Sequence, residues 1–181
     1  MLTLAIGGAR SGKSTHALRL AAEHGGEQVT YIAPCVATDD EMAERVRRHQ
    51  ADRPAEWSTI EEPLDLPKAL EQATDAGSQA VVIDCLTLWL YNAMEQGRSD
   101  EDILAAACAA AGVAQGLEAH VIAVTNEVGG GIVPASEIGR RFRDLQGRVN
   151  QLWAAAAHEV VLVVAGLPMS LKKQGRCEPL L

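Results

Sequence analysis

Eight residues near the start of the chain, Gly7-Gly8-Ala9-Arg10-Ser11-Gly12-Lys13-Ser14, fit the pattern GxxxxGK[ST] in full. An apolar run, Leu2-Thr3-Leu4-Ala5-Ile6, precedes them and a helix-forming segment follows. A glycine-rich loop between a strand and a helix restricts the architecture more than any other feature, because it is the setting of a phosphate-binding loop. Gly7 and Gly12 permit backbone conformations that a Cβ would block, so successive N–H groups turn toward phosphate oxygens. The helix that starts near Ser14 adds its positive end. Lys13 reaches the β- and γ-phosphates, and the Ser14 hydroxyl is offered to Mg²⁺. The loop implies a nucleoside triphosphate and leaves its use open.

The rest of the chain repeats one rhythm, a short apolar run and then a longer helical segment. Strands are predicted over 2–6, 28–33, 57–60, 80–83 and 120–125, with the last over 159–165. Helices are predicted over 14–24, 39–51, 66–76, 86–95, 100–117 and 138–157. This alternation predicts βαβ units and an α/β fold, with a mainly parallel sheet flanked by helices. The strands are continuous apolar runs, as expected where both faces are covered. No repeat or low-complexity linker divides the 181 residues, so residues 1–181 are expected to form one domain with a frayed tail from about Lys173.

Composition excludes several classes. The net charge of −8 argues against a general nucleic-acid or anionic-membrane binder. No stretch reaches the roughly 18 apolar residues of a membrane span, and Met1 to Ile6 carries no basic leader, so a cytoplasmic location is expected. Cys35, Cys85, Cys108 and Cys177 form no CxxC pair. They read as small buried hydrophobes plus one exposed tail thiol.

Two residue sets add chemistry. Ala80-Val81-Val82-Ile83-Asp84 is an apolar run ending in an acid, so Asp84 is the candidate metal-side carboxylate. The alternative is a helix cap at that point. His49 follows Arg45, Arg47 and Arg48 and precedes Arg53. On a helix it completes a stripe with Met42 and Val46, which suits a core-facing residue. Equally, a neutral imidazole is a competent nucleophile toward phosphorus, and nearby guanidinium groups favour the neutral ring. The glycine-rich loop over 126–134 follows a strand's carboxyl end, where open α/β sheets place ligands. Asn126 and Glu127 at that tip suggest a polar role. Arg140, Arg141, Arg143 and Arg148 on the next helix read either as a solvated face or as subunit or phosphate contacts.

With these blocks in place the chain resembles the bifunctional adenosylcobinamide kinase / adenosylcobinamide-phosphate guanylyltransferase family of cobalamin synthesis. The matching blocks are the phosphate loop, Tyr31-Ile32-Ala33, Asp39-Asp40-Glu41-Met42, His49, Arg53-Pro54, Trp57 and Asp84-Cys85-Leu86-Thr87. They continue through Asn126-Glu127-Val128-Gly129, Gly131-Ile132-Val133-Pro134, Phe142-Arg143-Asp144, Gly147, Asn150-Gln151 and Gly166-Leu167-Pro168. The resemblance implies a P-loop NTPase of RecA-like fold, assembled as a homotrimer. It implies phosphorylation of adenosylcobinamide with ATP or GTP, guanylylation of a histidine by GTP, and transfer of GMP to adenosylcobinamide phosphate. That histidine maps onto His49. Nucleotide contacts map onto Gly7, Gly8, Ala9, Arg10, Ser11, Gly12, Lys13 and Ser14, and onto Ala33, Pro34 and Cys35. They extend to Gln50, Ala51, Asp52 and Arg53, and to Glu61 and Asp84. Pro34 stands where the family usually has Thr, and Asp84 where relatives often have Glu. A plain P-loop kinase with a structural His49, or a nucleotide-switched binding protein, is the alternative reading.

Overall fold

The computed structural model of the chain describes residues 1–35, 54–174 and 176–177. Its centre is β1 (Leu2–Gly7), buried on both faces by neighbours that the sequence places far away. Along the chain follow α1 (Lys13–Gly25), β2 (Val29–Ala33), β3 (Ser58–Glu61), α2 (Leu66–Asp75), β4 (Ala80–Asp84), α3 (Leu86–Glu95) and α4 (Asp100–Gly116). Then come β5 (His120–Asn126), α5 (Glu137–Ala156), β6 (Glu159–Val164), β7 (Leu167–Lys173) and β8 (Arg176–Cys177). The sheet order is β3-β2-β4-β5-β1-β6-β7-β8. Every pairing from β3 to β6 is parallel, and the β6–β7 and β7–β8 pairings are antiparallel.

Alternation along the strands builds two apolar layers, since successive side chains leave a strand on opposite faces. Leu2, Leu4, Ile32, Val81, Ile83, Val121 and Ala123 point into the larger layer, under α2 to α5. Val29, Tyr31, Ala80, Val82, Ile122 and Val124 point into the smaller one, against Ala17 and Ala21 of α1. Two fully buried indoles, Trp89 and Trp153, fill the larger layer, where aromatics are otherwise scarce. Local signals set the helix starts. Asp65 caps α2, with Pro67 inside its first turn, Ser99 caps α4, and Ser136 caps α5, each side-chain oxygen satisfying a backbone N–H that the helix leaves open.

The predicted alternation holds with shifts of a residue or two at most ends. The predicted helix over 39–51 lies outside the described residues. Two readings are corrected. The strand over 159–165 is not the last: β6 ends at Val164, Ala165 and Gly166 turn with φ of 53° and 80°, and β7 returns antiparallel. Two consecutive positive φ values make the tight hairpin turn whose twist suits the flanking strands. Beyond β6, β7 offers an edge on which β8 pairs through Lys172↔Cys177 and Lys173↔Arg176. The cysteines are not simply buried hydrophobes with one exposed tail thiol: Cys108 is exposed on α4, and Cys35 and Cys85 are half-buried.

Candidate nucleotide site

Parallel strands end on the same side, so one edge of the sheet gathers the carboxyl ends of β3, β2, β4, β5 and β1. Glu61, Ala33, Asp84, Asn126 and Gly7 stand there in that spatial order. Register ties them, with Ala33 opposite Glu61, Asp84 opposite Val124, and Gly7 opposite Asn126. The predicted contacts at Gly7, Ala33, Glu61 and Asp84 are therefore brought to one edge. Pro34 and Cys35 continue from β2 on the same side. The Asn92 amide of α3 holds the Pro34 carbonyl at 2.7 Å and the Pro63 carbonyl at 3.2 Å, which fixes the chain just beyond these tips. His49, Gln50, Ala51, Asp52 and Arg53 lie outside the described residues.

The phosphate loop has the shape its glycines allow. Gly12 adopts φ 95° and caps α1 through its backbone. Arg10 also sits at positive φ, 56°, a conformation that non-glycine residues seldom adopt. Such alternation turns peptide N–H groups toward a common centre, a concavity suited to anions. Gly8, Ala9 and Arg10 are exposed, while Ser11 and Lys13 are buried. The Lys13 ammonium donates to the Gly8 carbonyl at 3.0 Å, folding its charge over the loop. The Ser11 hydroxyl is buried with no hydrogen-bond partner among the described residues.

Close packing explains both motif glycines further. A Cβ on Gly7 would lie 2.5 Å from the Val163 carbonyl oxygen, and one on Gly12 would lie 3.1 Å from the Gly166 Cα. The Gly166 N–H also donates to the Ser11 carbonyl at 2.8 Å. The β6–β7 hairpin thus props the loop from outside, a contact that the sequence reading missed. The signal was there, in the Ala165-Gly166 turn and the alternating Leu167, Met169 and Leu171.

Asp84 does not cap the helix after it. The N-cap of α3 is Cys85 and carries no side-chain cap bond, so the carboxylate is left at the strand end. Burial first, and then the Asp84 charge, push the Cys85 thiol up to about 11, so it stays protonated at neutral pH. Among the described residues no group of three or more His, Cys, Asp or Glu side chains could hold a metal by itself. A Ser14 hydroxyl and an Asp84 carboxylate are hard oxygen donors of the kind Mg²⁺ takes together with phosphate oxygens and water. The donor set thus fits a metal that arrives with its nucleotide.

Three arginines of α5 make contacts close by. Arg141 bonds the Asp100 carboxylate at 2.7 Å and the Arg98 carbonyl at 2.9 Å, and Arg140 holds the Pro134 and Ala135 carbonyls. Arg143 pairs with Asp144 at 3.0 Å. The loop over 126–134 does begin at the sheet edge: the Glu127 N–H donates to the Gly7 carbonyl at 3.0 Å.

Comparison with known proteins identifies the setting. Residues 3–171 match the family described as cobinamide kinase / cobinamide phosphate guanyltransferase. A bifunctional adenosylcobalamin biosynthesis protein of Salmonella typhimurium is 43% identical over 95% of this chain and 100% of its own length. Its counterpart in Pseudomonas aeruginosa is 44% identical over 95% and 98%, and that of Escherichia coli 42% over 95% and 100%. Among solved structures, a KaiC-like protein from Pyrococcus horikoshii superposes with a TM-score of 0.53 at 14% identity, covering 89% of this chain and 69% of its own. The flagellar accessory protein FlaH from Methanocaldococcus jannaschii gives 0.51 at 16%, covering 96% and 78%. The fold is that of the RecA-like P-loop NTPases.

Proposed function

This chain belongs to the cobinamide kinase / cobinamide phosphate guanyltransferase family, and we propose from that membership how its residues divide two reactions at one phosphate loop. It is a bifunctional kinase and guanylyltransferase of adenosylcobalamin biosynthesis. The match across residues 3–171 carries the reading, because a phosphate loop alone specifies only a triphosphate.

In the first reaction the alcohol oxygen of adenosylcobinamide attacks the γ-phosphorus of ATP or GTP. The new O–P bond forms as the bond to the nucleoside diphosphate breaks. Catalysis of such a transfer is mostly positioning and charge neutralisation. Backbone N–H groups of residues 7 to 14 hold the β- and γ-phosphates, and Lys13 leaves the Gly8 carbonyl to meet them. Ser14 and Asp84 would hold Mg²⁺, which supplies further positive charge to the phosphates. In the second reaction an imidazole nitrogen of His49 attacks the α-phosphorus of GTP and pyrophosphate leaves. The phosphate oxygen of adenosylcobinamide phosphate then takes the GMP and frees the histidine. Covalent catalysis splits one displacement into two. Ala33, Pro34, Cys35, Glu61 and residues 50–53 serve the nucleoside end, with Pro34 offering neither hydroxyl nor N–H. The carboxyl ends of β1 and β3 lie about 19 Å apart across four strand spacings, which sets Glu61 well away from the phosphates.

The chain acts as one domain, located in the cytoplasm and assembled as a homotrimer. Among the described residues no helix is long and apolar enough to cross a membrane. Ile132, Val133 and Ile138 lie 97%, 59% and 60% exposed, apolar side chains of the kind that burial between copies would cover.

The test uses GTP labelled at the α-phosphate. After incubation with Mg²⁺ and denaturation, an acid-labile, alkali-stable label is expected at His49. His49→Ala is expected to lose the label and keep kinase activity. Wild-type protein that phosphorylates the corrinoid yet never takes the label would reduce the function to a kinase alone.

A further inference from the structure

β3 and β2 are the outermost pair on one side of the sheet, and a proline follows each of them closely, Pro63 and Pro34. Their pairing runs one step past its register, with the Glu62 N–H donating to the Ala33 carbonyl at 3.2 Å. A proline nitrogen carries no hydrogen, so neither proline can donate onward, while a buried carbonyl still needs a donor. Pro34 is buried and Pro63 half-buried. One side chain meets both: Asn92 Nδ2 donates to the Pro34 carbonyl at 2.7 Å and to the Pro63 carbonyl at 3.2 Å. A carboxamide nitrogen bears two N–H groups, so it can hold two acceptors at once.

Asn92 stands on a helix that is already tied to the phosphate end. The N-cap of α3, Cys85, directly follows Asp84, and in the first turn Thr87 Oγ1 accepts the Asn126 N–H at 3.0 Å. Thr87 and Asn92 are separated by about 7.5 Å of helix rise. One turn before Asn92, Trp89 Nε1 donates to the Leu64 carbonyl at 3.0 Å. The Glu62 carboxylate accepts from the Leu64 and Asp65 N–H groups at 3.0 and 2.9 Å. The chain leaving β3 therefore keeps Trp89 and Glu62 as holds without Asn92, whereas the buried Pro34 carbonyl loses this donor. α3 is a spacer, joined at its start to the tips of β4 and β5 and through Asn92 to the exits of β2 and β3.

We propose that Asn92 is a positioning residue for nucleotide recognition. Through the Pro34 and Pro63 carbonyls it sets where Ala33, Pro34, Cys35 and Glu61 stand relative to the phosphate loop, so that a nucleoside and its triphosphate are gripped together. The proposal rests on the reading above that these four residues serve the nucleoside end. It requires no contact between Asn92 and the reacting atoms.

Calorimetry measures the affinities of MgGTP and of magnesium tripolyphosphate for wild type, Asn92→Ala and Asn92→Leu, beside the thermal midpoint without nucleotide. Tripolyphosphate carries the phosphate chain and no nucleoside. Asn92→Leu keeps the side-chain volume and loses both donors without adding charge. Both variants are expected to lose about tenfold or more in MgGTP affinity, the scale of two neutral hydrogen bonds. Their tripolyphosphate affinity is expected to stay within about twofold of wild type. Equal losses for the two ligands, tracking a lower midpoint, would mark a purely structural role and overturn the proposal. Variants that keep the wild-type ratio of the two affinities would overturn it as well. If neither variant folds, Asn92→Ser, which offers one donor for two acceptors, is read by the same ratio. A wild type that binds MgGTP no more tightly than tripolyphosphate overturns the nucleoside reading, and the proposal with it. A wild type that shows the preference yet fails to phosphorylate cobinamide defeats the kinase reading, while the ratio still decides the role of Asn92.

Discussion

Individual side chains in this protein show how far environment can move a residue from its ordinary behaviour. His120 begins β5 and is 6% exposed. Its Nε2 meets Thr3 Oγ1 at 2.8 Å, its Nδ1 has no partner among the described residues, and the His24 ring stands against it with centroids 4.2 Å apart. Burial first, then His24, the terminal amine and His158, lower its pKa from 6.5 to about 4. The folded protein therefore keeps this ring neutral while the unfolded chain protonates it near 6.5. Stability from this source is complete above pH 6.5 and is lost as pH falls toward 4. A shift of this size corresponds to roughly 3 kcal/mol. Urea unfolding between pH 7 and 4 is expected to show that decline, and His120→Gln to flatten it. A slope unchanged in the variant would assign the acid sensitivity elsewhere. His120 carries no catalytic signal in the sequence, and the structure agrees: it lies at the amino end of β5, opposite the nucleotide edge.

Single elements carry effects that no residue explains alone. The β6–β7 hairpin supports the phosphate loop through one backbone bond, Gly166 N–H to the Ser11 carbonyl. Gly166→Pro removes the donor and cannot adopt φ 80°. It is expected to lower both stability and MgGTP affinity. Gly166→Ala retains the N–H, and its Cβ would meet nothing within 4 Å. It is expected to cost only the left-handed penalty of about 1–2 kcal/mol and to leave affinity alone. Ser99→Ala provides the contrast. Ser99 accepts from Asp102 N–H at the start of α4, far along the chain from the loop, so its loss is expected to cost about 1 kcal/mol of stability with nucleotide binding intact. Chemical denaturation beside calorimetric titration separates the three. Equal affinities for Gly166→Pro and Gly166→Ala would mean that the hairpin does not hold the loop.

At the scale of the whole molecule, the core is built mainly from Ala, Val, Leu and Ile around two buried indoles. Trp89 donates from Nε1 to the Leu64 carbonyl at 3.0 Å while filling the layer under α2 and α4. Trp89→Ala is expected to cost about 3–5 kcal/mol and to lower the thermal midpoint by about 6–20 °C; a shift under about 3 °C would show that the layer closes over the gap. The same scale separates what the sequence determined by itself from what it did not. The phosphate loop, the strand-then-helix rhythm, the parallel sheet and the placing of Asp84 at a strand end were legible, because each rests on interactions within a few residues. Glycine freedom, apolar runs and helix caps act locally and leave marks in the letters. The strand order was not legible, nor was the return of β7 and β8, because pairing partners are chosen by which long-range contacts bury most surface. Leu2 meets Val121, and Gly7 meets Asn126, across more than a hundred residues. Asn126 was visible only as a polar residue at a strand tip. That Thr87 and Asn150 hold its backbone, from α3 and α5, was decided by the tertiary structure, since hydrogen bonds between distant elements exist only once packing has brought their atoms within about 3 Å.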